Sequence, residues 1–224
     1  MRCPPTGRGR TSPRSSRGFE ADPMYYEAET PSLPHNPLKA IVAPRPIGWI
    51  SAMDRAGRVN LAPYSFFNAV GGEPDMVMFS SSGRKDAMTF AEEGGEFVCS
   101  LATFDLREAV NATSAPLARG ESEFGFAGLT PAPSRRVRPP RVAESPAAIE
   151  CKWLQTVPLV PLGGGEPANF MVIGQVVSIY VDDRFVKDGR VDTGAMRPIL
   201  RGGYFDYFTT ESENRFELRR PKAG

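Results

Sequence analysis

The sequence predicts a mainly β domain of the barrel or sandwich kind, with two short helices laid over the ends of its strands. Three observations carry this. From residue 41 onward the chain breaks into short apolar, β-branched and aromatic runs, Gly, Pro and Asp signals separate those runs, and helical periodicity appears in only two brief stretches. At 224 residues, 41% hydrophobic and 24% charged, the chain is long enough for one good core, and one domain over residues 24–224 is expected.

Residues 1–23 are rich in Arg, Pro, Ser and Gly and hold almost nothing apolar, so they cannot offset the entropy of ordering and are expected to be disordered. Pro4, Pro5, Gly7, Gly9 and Pro13 would spoil the amphipathic helix of a transit peptide. Met24 opens the first stretch of ordinary globular composition and is the expected start of translation. His35, the one histidine, lies between Pro34 and Asn36 and reads as a surface or capping residue, with a ligand role left open.

A strand is expected at 47–53, and Asp54-Arg55-Ala56-Gly57-Arg58 is a hairpin turn into a partner strand at 59–61. Further strands are expected at 75–81, 96–102, 149–157 and 169–181, the last bent by a bulge at Gly174. One helix is expected over 86–93. A second starts near Asp105, where Leu106, Ala109 and Val110 recur at helical spacing. Residues 115–148 are irregular and Pro-rich, which describes a long extended connector.

Charge narrows the function. Of 27 basic residues five lie in the first 23 positions, and of 26 acidic residues two do, so the remainder carries 22 against 24. A slightly acidic body lacks the basic face of a nucleic-acid binder. Arg135, Arg136, Arg138 and Arg141 lack interleaved aromatics and read as a solvated loop. No apolar run approaches the ~18 residues of a membrane helix, and no signal peptide is evident, so a cytoplasmic protein is expected. Cys3, Cys99 and Cys151 fit neither a metal cluster nor a disulfide framework and are expected to be reduced.

One histidine excludes a multi-histidine metal site, and no Ser sits in a nucleophile elbow. Gly163-Gly164-Gly165 does not follow a strand in a strand-turn-helix context, so it is no dinucleotide fingerprint. Ser80-Ser81-Ser82-Gly83-Arg84-Lys85-Asp86 is different: it joins an apolar strand to a helix start and brings hydroxyls, two cations and unpaired N–H groups together. Either a phosphate sits there, or Ser82 or Asp86 merely caps the helix. Chemistry without a protein acid, base or metal points to a cofactor that performs the difficult step.

Val42-Ala43-Pro44-Arg45-Pro46-Ile47-Gly48-Trp49-Ile50-Ser51, the run from Gly57-Arg58-Val59-Asn60-Leu61-Ala62-Pro63-Tyr64-Ser65 to Phe66-Phe67-Asn68-Ala69, and Gly83-Arg84-Lys85-Asp86 resemble, in order and spacing, the flavin reductase-like family of FMN-binding split barrels. Asn111-Ala112-Thr113-Ser114, the run 141–146 and Gly202-Gly203-Tyr204 extend the resemblance over roughly 34–221.

The resemblance implies a Greek-key split β-barrel and a homodimer with FMN at the subunit interface. It implies that Asn60, Ala62, Pro63, Ser65, Phe66 and Asn68 run alongside the isoalloxazine. Ser80, Ser81, Ser82, Arg84 and Lys85 would hold the phosphate, with Asp86 orienting the cations or capping the helix. Trp49, Phe66 and Phe67 either stack near the ring or fill the core, as aromatic residues on or beside a strand more often do, Phe67 being the weaker ring candidate; Ser51, Thr113 and Ser114, which lie in the family's motifs, are second-line ligand or interface residues. The family commonly carries Thr where this chain has Ala87, so one phosphate-shell hydroxyl is missing.

The implied activity is NAD(P)H-dependent reduction of FMN, supplying reduced flavin to a monooxygenase partner or another acceptor. Two alternatives stand beside it: an FMN oxidoreductase with a different donor, and a non-enzymatic FMN carrier.

Overall fold

The computed structural model describes residues 33–222. The expectations for residues 1–23, Cys3 and Met24 fall outside the described residues. The chain divides after Asn36, and Pro37–Gly224 forms one compact unit; His35 precedes it and is exposed.

The unit opens with a single helical turn, α1 (Leu38–Ile41), and a two-residue strand, β1 (Arg45–Pro46). The expected hairpin follows as β2 (Gly48–Met53) and β3 (Val59–Tyr64), paired from Gly48 against Tyr64 to Met53 against Val59. Asp54 closes its turn: Oδ1 accepts from the Ala56 and Arg58 amides at 2.9 and 2.8 Å, and Arg58 Nε donates to Oδ2 at 2.6 Å. Burial opposes the Asp54 carboxylate, yet these bonds and the Arg58 charge hold its pKa below the usual range.

A second hairpin, β4 (Phe67–Gly72) and β5 (Asp75–Ser82), follows. Next come α2 (Asp86–Gly94), ended by Gly95 in the left-handed region at φ 72°, and β6 (Glu96–Leu101). The short helices α3 (Arg107–Ala112) and α4 (Glu123–Phe126) precede two small strands, β7 (Pro131–Ala132) and β8 (Arg141–Val142). The long hairpin of β9 (Ala147–Pro158) and β10 (Asn169–Val181) comes next. A minor pair, β11 (Val186–Lys187) with β12 (Arg190–Val191), leads to β13 (Ile199–Arg201), which pairs with β1 and with β14 (Tyr207–Thr209).

The region 115–148 is therefore not an extended connector. It contains α4 and the β7–β8 pair, and buries Phe124, Leu129, Val137 and Val142. These apolar residues are spaced too irregularly to display a period. Its arginines have structural engagements: Arg138 pairs with Glu96 at 3.4 Å, Arg141 lies 3.8 Å from the centre of the Tyr180 ring, and the Arg135 and Arg136 amides donate to Glu150.

The main sheet has seven strands in the order β3-β2-β6-β9-β10-β5-β4. Its two edges, β3 and β4, are consecutive in the chain and separated by only Ser65 and Phe66. Three residue steps span at most ~11 Å, so the sheet must curl until its edges nearly meet. The edge strands do not pair with each other, leaving the barrel split along one side. Inside the curl, Ile50, Phe79, Phe90 and Phe97 pack with Val172 and the buried face of α2. Cys99 and Cys151 are buried free thiols, and burial, with the neighbouring Cys151, pushes the Cys99 thiol well above its ordinary value. The ladder is irregular at Gly174 as expected, but the extra residue there is Leu154 of β9, between the Ile173–Gln155 and Gly174–Trp153 pairs; the extra residue of β10 itself is Val177, three positions on. A Cβ on Gly174 would lie 2.4 Å from the Phe97 ring.

Candidate functional site

The split opens into a groove of about 540 Å3, within the ~300–1,000 Å3 range of small-molecule sites. Strand β3 and the short link after it form one wall, through Asn60, Ala62, Pro63, Tyr64, Ser65 and Phe66. Ser80 and Ser82 come from β5, and Asn169 from the start of its neighbour β10. Lys85, Asp86 and Ala87 come from the start of α2. Thr113 through Leu117, just after α3, and Glu123 of α4 complete the groove.

Alternation along β5 explains which of the three serines face the groove. Ser80 and Ser82 line it, whereas Ser81 is buried and its hydroxyl donates to the Gly83 carbonyl at 2.8 Å. Tyr64 is buried beside the site; desolvation pushes its phenol up to about 12, with Ser81 opposing and the Asp86 and Glu123 charges adding. Helix α2 begins after Lys85, whose backbone is extended and whose side chain makes no cap. Neither Ser82 nor Asp86 caps the helix. Its first N–H groups thus remain available beside the Ser80 and Ser82 hydroxyls and the Lys85 ammonium, a donor set suited to an anion.

The other predicted residues divide between the core, the surface and the groove. Trp49 is fully buried and donates from Nε1 to Thr113 Oγ1 at 2.8 Å, reaching the groove only through that hydroxyl. Ser51 is buried and donates to the Pro140 carbonyl. Asn68 is exposed on β4 and accepts from the Ala69 amide at 2.9 Å. Arg84 pairs with Glu92 and lies 5.7 Å from the Phe170 ring centre, outside the groove lining. Asp86 pairs with Arg119 at 3.9 Å rather than with either neighbouring cation. Thr89 donates to the Asp86 carbonyl at 3.2 Å, so its hydroxyl is engaged by its own helix rather than replacing the one missing at Ala87. Phe67 packs against the core over Gly48, where a Cβ would lie 2.5 Å from its ring, whereas Phe66 is 45% exposed at the groove.

Glu123, Tyr64, Asn169 and the 115–117 segment were absent from the sequence-based site. Glu123 is 7% exposed; Oε1 accepts from Asn60 Nδ2 at 2.6 Å and Oε2 from the Leu61 amide at 3.0 Å. Burial raises its carboxyl above the usual range, the N–H groups of its own backbone, Leu61 and Asn60 oppose this, and the Asp86 charge adds to it. Asn60 Oδ1 is buried and has no partner. The one hint in the sequence was a Glu just before Phe124 at a helix start.

This fold agrees with what comparison with known proteins finds. The chain belongs to the family described as flavin reductase like domain, whose model matches residues 42–196. It is 40% identical over 193 residues to an uncharacterised protein of Halalkalibacterium halodurans, covering 80% of this chain and 92% of the relative. Among solved structures, nitrilotriacetate monooxygenase component B from Bacillus cereus is similar at TM-score 0.74 and 32% identity, covering 81% and 90% of the two chains. A Shewanella frigidimarina protein described as a flavin reductase with split barrel domain matches at TM-score 0.71 and 26% identity, over 83% and 90%.

Proposed function

We propose that this protein binds FMN in the groove and catalyses its reduction by NAD(P)H, delivering reduced flavin to an oxygenase partner. The observation that carries this is the donor set where β5 meets α2: two strand hydroxyls, the Lys85 ammonium and an uncapped helix start, all lining one groove. A phosphate monoester matches those donors. The β3 wall suits the ring: Ala62 and Pro63 are small or flat enough to let the flavin approach the backbone.

FMN, when bound, supplies a ring that accepts hydride. The chain's own residues hold and orient it: Lys85, Ser80 and Ser82 at the anionic end, Ala62 to Phe66 along the β3 side, and Thr113 and Ser114 opposite. No side chain need move a proton for hydride to transfer, so alignment is the protein's main contribution. The oxygenase partner is supported by likeness to component B of nitrilotriacetate monooxygenase. A homodimer is supported by exposed apolar side chains, among them Val70, Phe205 and Phe208.

The test is turnover. Purified protein mixed with FMN should oxidise NADH or NADPH, followed by loss of nicotinamide absorbance, at a rate that depends on both substrates. Binding of FMN without turnover with either nicotinamide would contradict the reductase reading and favour a flavin carrier.

A further inference from the structure

The charges in the groove are poorly matched to the ligand proposed for it. Among the described lining residues one cation, Lys85, stands against two carboxylates, Asp86 and Glu123. Arg84 is held by Glu92, and Arg119 by Asp86 and Glu93. A phosphate monoester brings about 1.5 to 2 further negative charges near neutral pH.

Glu123 is the carboxylate least suited to remain ionised when that charge arrives. It is buried, its oxygens are met by neutral N–H donors from Asn60, Leu61 and its own backbone amide, and it is in none of the ion pairs among the described residues. The ionisable groups that share its surroundings are Asp86 and Lys85 from the start of α2 and Tyr64 from β3. Strand β5 adds only the Ser80 and Ser82 hydroxyls, and the segment after α3 only those of Thr113 and Ser114.

Asn60 gives the carboxyl a way to change state. As an ionised acceptor, Glu123 takes the Asn60 amide N–H and leaves Asn60 Oδ1 buried without a partner. If Glu123 gains a proton and the amide turns over, the new acid O–H donates to Oδ1. The two side chains then keep a hydrogen bond in either protonation state.

We infer that Glu123 is a working member of the flavin site that takes up one proton from solvent as the anionic ligand enters, making FMN binding proton-linked. This rests on the reading that FMN occupies the groove. The step is protonation of a carboxylate and involves no electron transfer. Its sign is fixed by linkage: binding that takes up a proton weakens as pH rises through the Glu123 pKa, then levels off once the group is ionised in both states.

The test is calorimetric titration of FMN and of riboflavin into the full-length protein, at one pH in two buffers of different ionisation enthalpy, which counts protons exchanged. Wild-type protein should take up more protons with FMN than Glu123→Gln does, by a large fraction of one. The phosphate's own titration is common to both proteins and cancels, and riboflavin should show no such difference. At pH 8 the variant should bind FMN several-fold more tightly than wild type, because a buried negative charge has gone. Equal proton counts would overturn the inference while leaving FMN binding intact. Failure of wild-type protein to bind FMN would overturn the function reading and this inference together. Should the variant not fold by circular dichroism, infrared difference spectra decide: FMN added to wild-type protein must generate a carboxylic acid C=O band, and its absence overturns the proposal.

Discussion

Lys85 and Arg84 are adjacent in sequence and read alike there, yet the fold gives them different work. Lys85 lines the groove at the start of α2, while Arg84 turns toward Glu92 and the Phe170 ring. A charge-assisted hydrogen bond is worth about 1.5–3 kcal/mol, so Lys85→Ala should weaken FMN at least about tenfold in a fluorescence titration while barely affecting riboflavin. Arg84→Ala should do much less. Equal losses from the two substitutions would contradict this division. The motif made the cluster legible in sequence, but not which member faces inward, since that depends on Glu92 two helical turns away. The serines were legible in part for the same reason: strand alternation selects Ser80 and Ser82, but its phase is set by core packing of Val77 and Phe79.

At the scale of elements, legibility followed the strength of local signals. The β2–β3 hairpin announces itself through its turn, and β10 through thirteen residues of strand-forming composition broken at Gly174. β4 did not, because five of its six residues are exposed and carry no core pattern. Nor did α4, a four-residue helix that nonetheless delivers Glu123 to the groove. Gly174 is a place where packing, not composition, decides: Phe97 occupies the space a side chain would need. Gly174→Ala should therefore cost about 1–3 kcal/mol by overpacking, measured as a lower urea midpoint. An unchanged midpoint would show that the Phe97 ring relaxes freely.

At the scale of the whole molecule, a short link between two sheet edges creates the site. Ser65 and Phe66 force β3 toward the far side of the sheet, and the Ser80 amide donates to the Phe66 carbonyl at 2.8 Å across the junction. Arg45 braces the same place from below, donating to the carbonyls of Ser65, Lys39, Val42 and Gly202. The groove is thus a by-product of how the barrel fails to close, and the donors proposed to hold the phosphate lie where β5 passes that gap. Comparing FMN with riboflavin in wild-type protein tests this most directly, because the two ligands differ only in the phosphate. A fluorescence titration should show FMN bound at least about tenfold more tightly than riboflavin. Equal affinity for the two, or no binding of either, would contradict a site built around the anion.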